Sequence, residues 1–163
     1  MLELNGTFSK VIDLMENSRK NIFVTGRAGT GKSTLLSHFK NTSKKRLAVT
    51  APTGVAAVNV GGQTIHSFFG FKPDITIDKV KVARNRGVYE ALDTLVIDEI
   101  SMVRADLMDC MDRSLRLNRG TPLIPFGGVQ IIMFGDLYQL PPVVSNDESR
   151  LFSSFYRSRF FFD

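Results

Sequence analysis

The stretch Asn21-Ile22-Phe23-Val24-Thr25-Gly26-Arg27-Ala28-Gly29-Thr30-Gly31-Lys32-Ser33-Thr34 decides the fold of this chain. The apolar run Ile22–Thr25 reads as a strand, residues 26–33 as a phosphate-binding loop, and residues 34–40 as a helix. The chemistry asks for these residue types. Glycines let consecutive backbone N–H groups curl around an anion, Lys32 reaches the β- and γ-phosphates, and the Ser33 hydroxyl can ligate Mg2+. Gly26, Arg27, Ala28, Gly29, Thr30, Gly31, Lys32, Ser33 and Thr34 thus form the expected cradle of a nucleoside triphosphate. The positive end of the following helix faces the phosphates.

Three further apolar runs read as strands: residues 47–50, 95–97 and 129–134. Their near-continuous hydrophobicity, without in-out alternation, suits a parallel sheet covered on both faces. Helical patterns lie between them at residues 34–40, 55–58 and 103–117, the last with Val103, Leu107, Met111 and Leu115 on one side. Residues 1–19 form an expected N-terminal helix whose Phe8, Val11, Ile12 and Met15 make one apolar face that should pack on the core. The expected fold is α/β: a P-loop domain, one unit over residues 1–163, with a central parallel sheet flanked by helices.

In such a sheet, ligands gather outside the carboxyl ends of the strands. Here those ends carry the phosphate loop, Ala51-Pro52-Thr53-Gly54, Asp98-Glu99, and Gly135-Asp136 with Gln139 just beyond. A strand delivering Asp98 to the Mg2+, with Glu99 next to it to activate water, is the second half expected of a phosphate-loop hydrolase. Gln139 can report on the γ-phosphate by hydrogen bonding. A solvated Asp-Glu turn, and a Gly-Asp turn closed by Pro141 and Pro142, are the plain alternatives.

The set Gly26 through Thr34, Ala51-Pro52-Thr53-Gly54-Val55-Ala56-Ala57, Gly61-Gly62-Gln63-Thr64-Ile65-His66-Ser67-Phe68, Asp98-Glu99-Ile100-Ser101-Met102, and Phe126-Gly127-Gly128-Val129-Gln130 running into residues 135–142 closely resembles the Pif-family DNA helicases. These are superfamily one B enzymes, with the RecD helicases as more distant relatives. The resemblance spans about residues 21–143, the first of that family's two RecA-like motor domains. It implies an ATP-hydrolysing module of a 5′-to-3′ helicase on single-stranded DNA. Lys32 and Ser33 would hold triphosphate and Mg2+, Asp98 and Glu99 would be the metal-side and water-activating acids, and Gln139 would couple the γ-phosphate to movement. It also assigns residues 53–68 to the DNA strand.

That assignment has physical sense of its own. Thr53, Gly54 and Asn59, following Pro52, offer backbone and side-chain donors to phosphates, while His66 and Phe68 can stack on unpaired bases. Core packing is the alternative for Phe68, Phe69 and Phe71.

Two departures from the family pattern matter. The glutamine that the family often uses to read adenine falls near Ser9 or Lys10, and the chain reaches Asp163 before a second motor domain with its arginines. The chain alone is therefore expected to hydrolyse slowly and unwind nothing, since an arginine finger is worth roughly 10³-fold or more. Residues 144–163, rich in aromatics, are expected to dock on the core or face a partner such as that second domain.

Composition excludes other classes. A 163-residue chain with 43% hydrophobic and 23% charged residues is ordinary for a globular domain. The single cysteine, Cys110, has no internal partner, no basic-then-apolar leader is evident, and no apolar run approaches the ~20 residues of a bilayer span. An intracellular setting without a membrane role is expected. The formal charge of +5 suits a polyanionic partner but decides little. The basic residues gather at 40–46 and 79–86, where a solvated surface is the plain reading. Residues 72–90 should carry a short surface helix with Asp78 as cap, and residues 118–128 a Pro/Gly-rich loop.

Two rival functions make different demands. A small-molecule kinase needs a substrate lid with clustered arginines, and none is evident between the third and fourth strands. A nucleotide-gated binding module needs no water-activating acid, and Glu99 is present.

Overall fold

A computed structural model describes residues 6–162. Seven helices are α1 (Gly6–Asn17), α2 (Lys32–Thr42), α3 (Gly54–Asn59), α4 (Ile65–Phe69), α5 (Gly87–Ala91), α6 (Ala105–Arg119) and α7 (Asn146–Phe155). Five strands, β1 (Ile22–Thr25), β2 (Leu47–Ala51), β3 (Gln63–Thr64), β4 (Thr94–Ile97) and β5 (Gln130–Gly135), form one sheet in the order β1-β5-β4-β2-β3. Every pairing is parallel.

Alternate residues of the central strands feed two cores. Leu95, Ile97 and Ile131 point to one face, where they meet Met111 and Leu115 of α6 and Ile65 and Phe69 of α4. Val96, Ile132 and Phe134 point to the other, where they meet Leu36 and Phe39 of α2 and Met15 of α1. Each fully buried side chain of this kind contributes about 1.5–3 kcal/mol. Because both faces are covered, the strands read as unbroken apolar runs rather than alternating ones.

Phe8, Val11 and Ile12 pack beside Met15, as the spacing along α1 requires, while residues 1–5 of the expected helix lie outside the described residues. Among the described residues no helix is long and apolar enough to cross a membrane.

One local expectation needs correction, and two features add to the others. β3 is a two-residue strand that pairs with Thr50 and Ala51, too short and polar to show periodicity. The expected helix over residues 72–90 is instead a 3-10 turn, Ile77–Lys79, entered from Thr76 rather than capped by Asp78, followed by the short α5. Valines 80 and 82 and the adjoining polar residues give no helical face here. Asn118 of α6 pins the chain, accepting the Ala83 N–H at 2.7 Å on its side chain and the Arg86 Nε–H at 3.1 Å on its carbonyl. Finally, the loop after α6 contains a 3-10 turn, Pro125–Gly128, in which Phe126 adopts φ 52° and donates its N–H to Asp112 at 2.5 Å.

The aromatic tail docks on the domain. Ser145 and Glu148 make a capping box at the head of α7, the Tyr156 hydroxyl donates to Asp109 at 2.7 Å, and the Phe161 ring meets Phe23 edge-on at 5.6 Å. Arg104 holds this segment, ion-paired to Glu148 at 3.2 Å with its guanidinium 5.3 Å from the centre of the Phe152 ring.

Cys110 is 1% exposed within α6, and burial, aided by Asp106 and Asp109, pushes its thiol up to about 11. Thiolate is the reactive form. We therefore expect alkylation by iodoacetamide at pH 8 to be at least about tenfold slower in the native chain than in denaturant. Equal rates in the two conditions would contradict this burial.

Candidate functional site

The loop between β1 and α2 is shaped by its glycines. Gly29 and Gly31 sit at φ 79° and 88°, where other residues are strained. A Cβ on Gly31 would also lie 2.9 Å from the Phe8 ring, so α1 closes on the back of the loop. Thr30 ties the loop together, its N–H and hydroxyl donating to the Arg27 carbonyl at 3.3 and 2.8 Å. The Lys32 ammonium donates to the carbonyls of Gly26 and Arg27, the latter at 3.0 Å. Arg27, Ala28, Gly29, Thr30, Ser33 and Thr34 are exposed, and the unpaired N–H groups at the start of α2 face the same solvent.

The fully buried strand β4 carries Asp98 and Glu99 to the sheet's carboxyl edge. The Asp98 N–H is anchored to the Thr50 carbonyl at 2.8 Å. Burial raises the Asp98 carboxyl above its ordinary range, against the Glu99 N–H and the Lys32 charge, which lower it. Glu99 is raised too, first by burial, then by the neighbouring charges of Asp98 and, more weakly, Asp136, with Lys32 opposing. Both carboxyls thus feel one lysine of the phosphate loop. Glu99 also holds φ 51° and ψ 42°, a left-handed conformation that costs a non-glycine residue about 1–3 kcal/mol. The chain turns there from β4 into the 3-10 turn Ile100–Met102, leaving Glu99 only half-buried.

The end of β5 packs directly against that turn. A Cβ on Gly135 would come within 2.7 Å of Ile100 and 3.3 Å of the Ser101 nitrogen, so glycine permits the approach. Asp136, 5% exposed, accepts the Tyr138 N–H on its carboxylate and the Gln139 N–H on its carbonyl, both at 3.0 Å. It thereby builds the turn that presents the exposed Gln139. Gln139, Glu99, Thr53 and Asn59 share an open cleft of about 640 Å³.

Sequence reasoning quoted Asp136 without giving it a role; its place directly after a strand, before a turn, was the available signal. It gave no role to Ser101 either. The Ser101 hydroxyl, 1% exposed, borders the cleft without a hydrogen-bond partner among the described residues.

The residues matched to a DNA strand divide into two groups. Thr53 caps α3, its hydroxyl accepting the Ala56 N–H at 3.2 Å, with Pro52 half-buried and Gly54 and Asn59 exposed. His66 is half-buried and edge-on to Phe71 at 6.5 Å, and burial lowers its pKa, keeping the ring neutral at pH 7. Phe68 is drawn inward, its ring edge-on to Phe69 at 4.9 Å and to Tyr89 at 5.6 Å. Its ring is thus engaged in an aromatic cluster that the exposed turn at Thr53 does not share.

The PIF1-like helicase family matches residues 3–161. The ATP-dependent DNA helicase PIF1 of Saccharomyces cerevisiae is 47% identical over 154 residues, which is 86% of this chain and 17% of that protein. The crystal structure of the Bacteroides Pif1 helicase in complex with ADP-AlF3 and single-stranded DNA superposes with a TM-score of 0.90 at 42% identity, over 99% of this chain and 39% of that one. The Candida albicans Pif1 helicase superposes with a TM-score of 0.78 at 37% identity, over 99% and 36% of the two chains. The chain thus spans well under half the length of the relatives it matches.

Proposed function

This chain belongs to the PIF1-like helicase family, and we propose that it is the ATP-binding and ATP-hydrolysing motor module of a 5′-to-3′ DNA helicase acting on single-stranded DNA. The observation that carries the proposal is the meeting of three strand ends: Lys32 acts electrostatically on both Asp98 and Glu99, and Glu99 shares its cleft with Gln139 and the Thr53 turn.

In this reading residues 26–34 wrap the triphosphate, with Lys32 released from the Gly26 and Arg27 carbonyls to the β- and γ-phosphates. Ser33 and Asp98 are the residues that would hold Mg2+, since a hydroxyl and a partly buried carboxylate are the hard oxygen donors such a cation takes. When bound, that ion neutralises charge on the transferred phosphoryl group. Glu99, desolvated and crowded by like charge, is a better proton acceptor than an ordinary glutamate and takes the proton of the attacking water. Gln139 sits across the cleft to sense the γ-phosphate, and Asp136 holds its turn. The strand lies over Thr53, Gly54, Asn59 and His66, beside the same cleft, so occupancy of one can alter the other. A second RecA-like domain elsewhere in the parent supplies the opposing wall and its arginines.

The test is phosphate release by this chain with and without oligothymidylate. We expect slow basal turnover that single-stranded DNA accelerates severalfold. A rate indifferent to DNA, together with no DNA binding by anisotropy, favours a phosphate-loop hydrolase of another kind.

A further inference from the structure

A second concavity opens beside α4, on the α6 side of the sheet. It encloses about 920 Å³ between the aromatic cluster of Phe68, Phe71 and Tyr89 and the irregular segment of residues 72–85. Its rim carries Lys72, Lys81 and Arg84, all exposed. Among the described residues none of the three has a carboxylate within ion-pairing distance. Two acids share this lining: Asp74 is paired with Lys79 at 2.8 Å and also feels Lys72, and Asp78 is held low, hence charged, by hydrogen bonds from Thr76 and its own backbone. Lys72, Lys79, Lys81 and Arg84 thus outnumber the two carboxylates along a groove floored by aromatic rings, leaving a local excess of positive charge. Of the basic run at 79–86, Lys79, Lys81 and Arg84 line this groove, while Arg86 pairs with Glu90.

From this geometry we infer that the groove is a second nucleic-acid surface, holding the sugar-phosphate backbone of a single strand that continues past His66. The inference rests on the proposed strand path over Thr53 and His66. His66 links the two surfaces, since its ring abuts Phe71 and Phe71 lines the groove. Cations spaced along an aromatic-lined channel are the general chemistry of sequence-tolerant single-strand binding. The C-terminal part of the segment is anchored by Asn118, which accepts hydrogen bonds from Ala83 and Arg86. Its cations are thus presented by a pinned backbone.

The experiment compares this chain with its Lys72→Ala/Lys81→Ala/Arg84→Ala variant by anisotropy. It uses a short oligothymidylate that covers only the first surface, a long one, and a duplex of the long length, each over a salt series. Each lost phosphate contact flattens the salt slope by about 0.7, so three reduce it by about 2, equivalent to roughly a hundredfold in affinity at 0.1 M salt. The expected result is that loss on the long strand alone, with short-strand affinity and basal hydrolysis unchanged. An unchanged long-strand slope, with Asn59→Ala still weakening both strands, overturns the groove and leaves the proposed function standing. Binding of neither strand by the unmodified chain overturns both. A variant-sensitive preference for duplex overturns the single-strand assignment.

Discussion

Glu99→Gln is expected to lower ATP hydrolysis by roughly 10²–10⁴-fold, the range for losing a general base, while nucleotide affinity stays within a few fold. The carboxylate is the one group in the cleft that combines partial burial, like-charge neighbours and access to the triphosphate side of the sheet. Glutamine preserves its size and removes its proton affinity. The same substitution should raise the melting temperature. A carboxyl whose folded pKa lies above its unfolded value binds protons more readily when folded, so the fold gains stability as pH falls through that raised value and bears a cost when the group is ionised. Removing the charge removes that cost. The acid limb of the hydrolysis profile should correspondingly lie above the ordinary glutamate value of 4.5, since the rate is lost as Glu99 takes up its proton. Phosphate release, nucleotide anisotropy and thermal melting read these effects separately. Turnover within tenfold of the unmodified chain would remove Glu99 from its role, and an unchanged melting temperature would contradict its desolvation.

Lys32→Ala is expected to weaken triphosphate binding by roughly a hundredfold. Two charge-assisted hydrogen bonds to phosphate are worth about 1.5–3 kcal/mol each, partly offset because the ammonium already donates to the Gly26 and Arg27 carbonyls and must leave them. Hydrolysis should fall below detection. Lys32 also lowers both acids electrostatically, so its loss should raise Asp98 and Glu99 further. Titration with a fluorescent ATP analogue measures the first effect. An affinity loss below threefold would mean that the backbone of residues 26–33 grips the triphosphate without this side chain. The two variants separate binding from chemistry: Glu99→Gln should hold nucleotide that Lys32→Ala releases.

Much of this arrangement was readable before any coordinates. The runs at 22–25, 47–50, 95–97 and 129–134 each became a strand with its ends moved by a residue at most. Burial on both faces leaves a continuous apolar signature, and parallel pairing needs helices between strands. The segment at 72–90 was misread because its conformation is set from outside, by a side chain of α6 some thirty residues away, and no local periodicity records that grip. β3 was missed for a related reason: two residues are too few to show a period.

Sequence by itself determined the chemistry and its order. Glycines, a lysine, an acid pair and a glutamine stand at the ends of apolar runs, and the spacing requires those ends to share one sheet edge. Tertiary structure decided the state of each group. The left-handed turn of Glu99, the burial that raises it, and the Ser101 hydroxyl without a partner among the described residues accompany the packing of Gly135 against Ile100. The groove beside Lys72, Lys81 and Arg84 likewise forms between segments distant in sequence, its cation-bearing wall anchored by Asn118. Proton affinity and shape depend on what is excluded from around a residue. That is a property of contacts between distant segments, which local sequence does not carry.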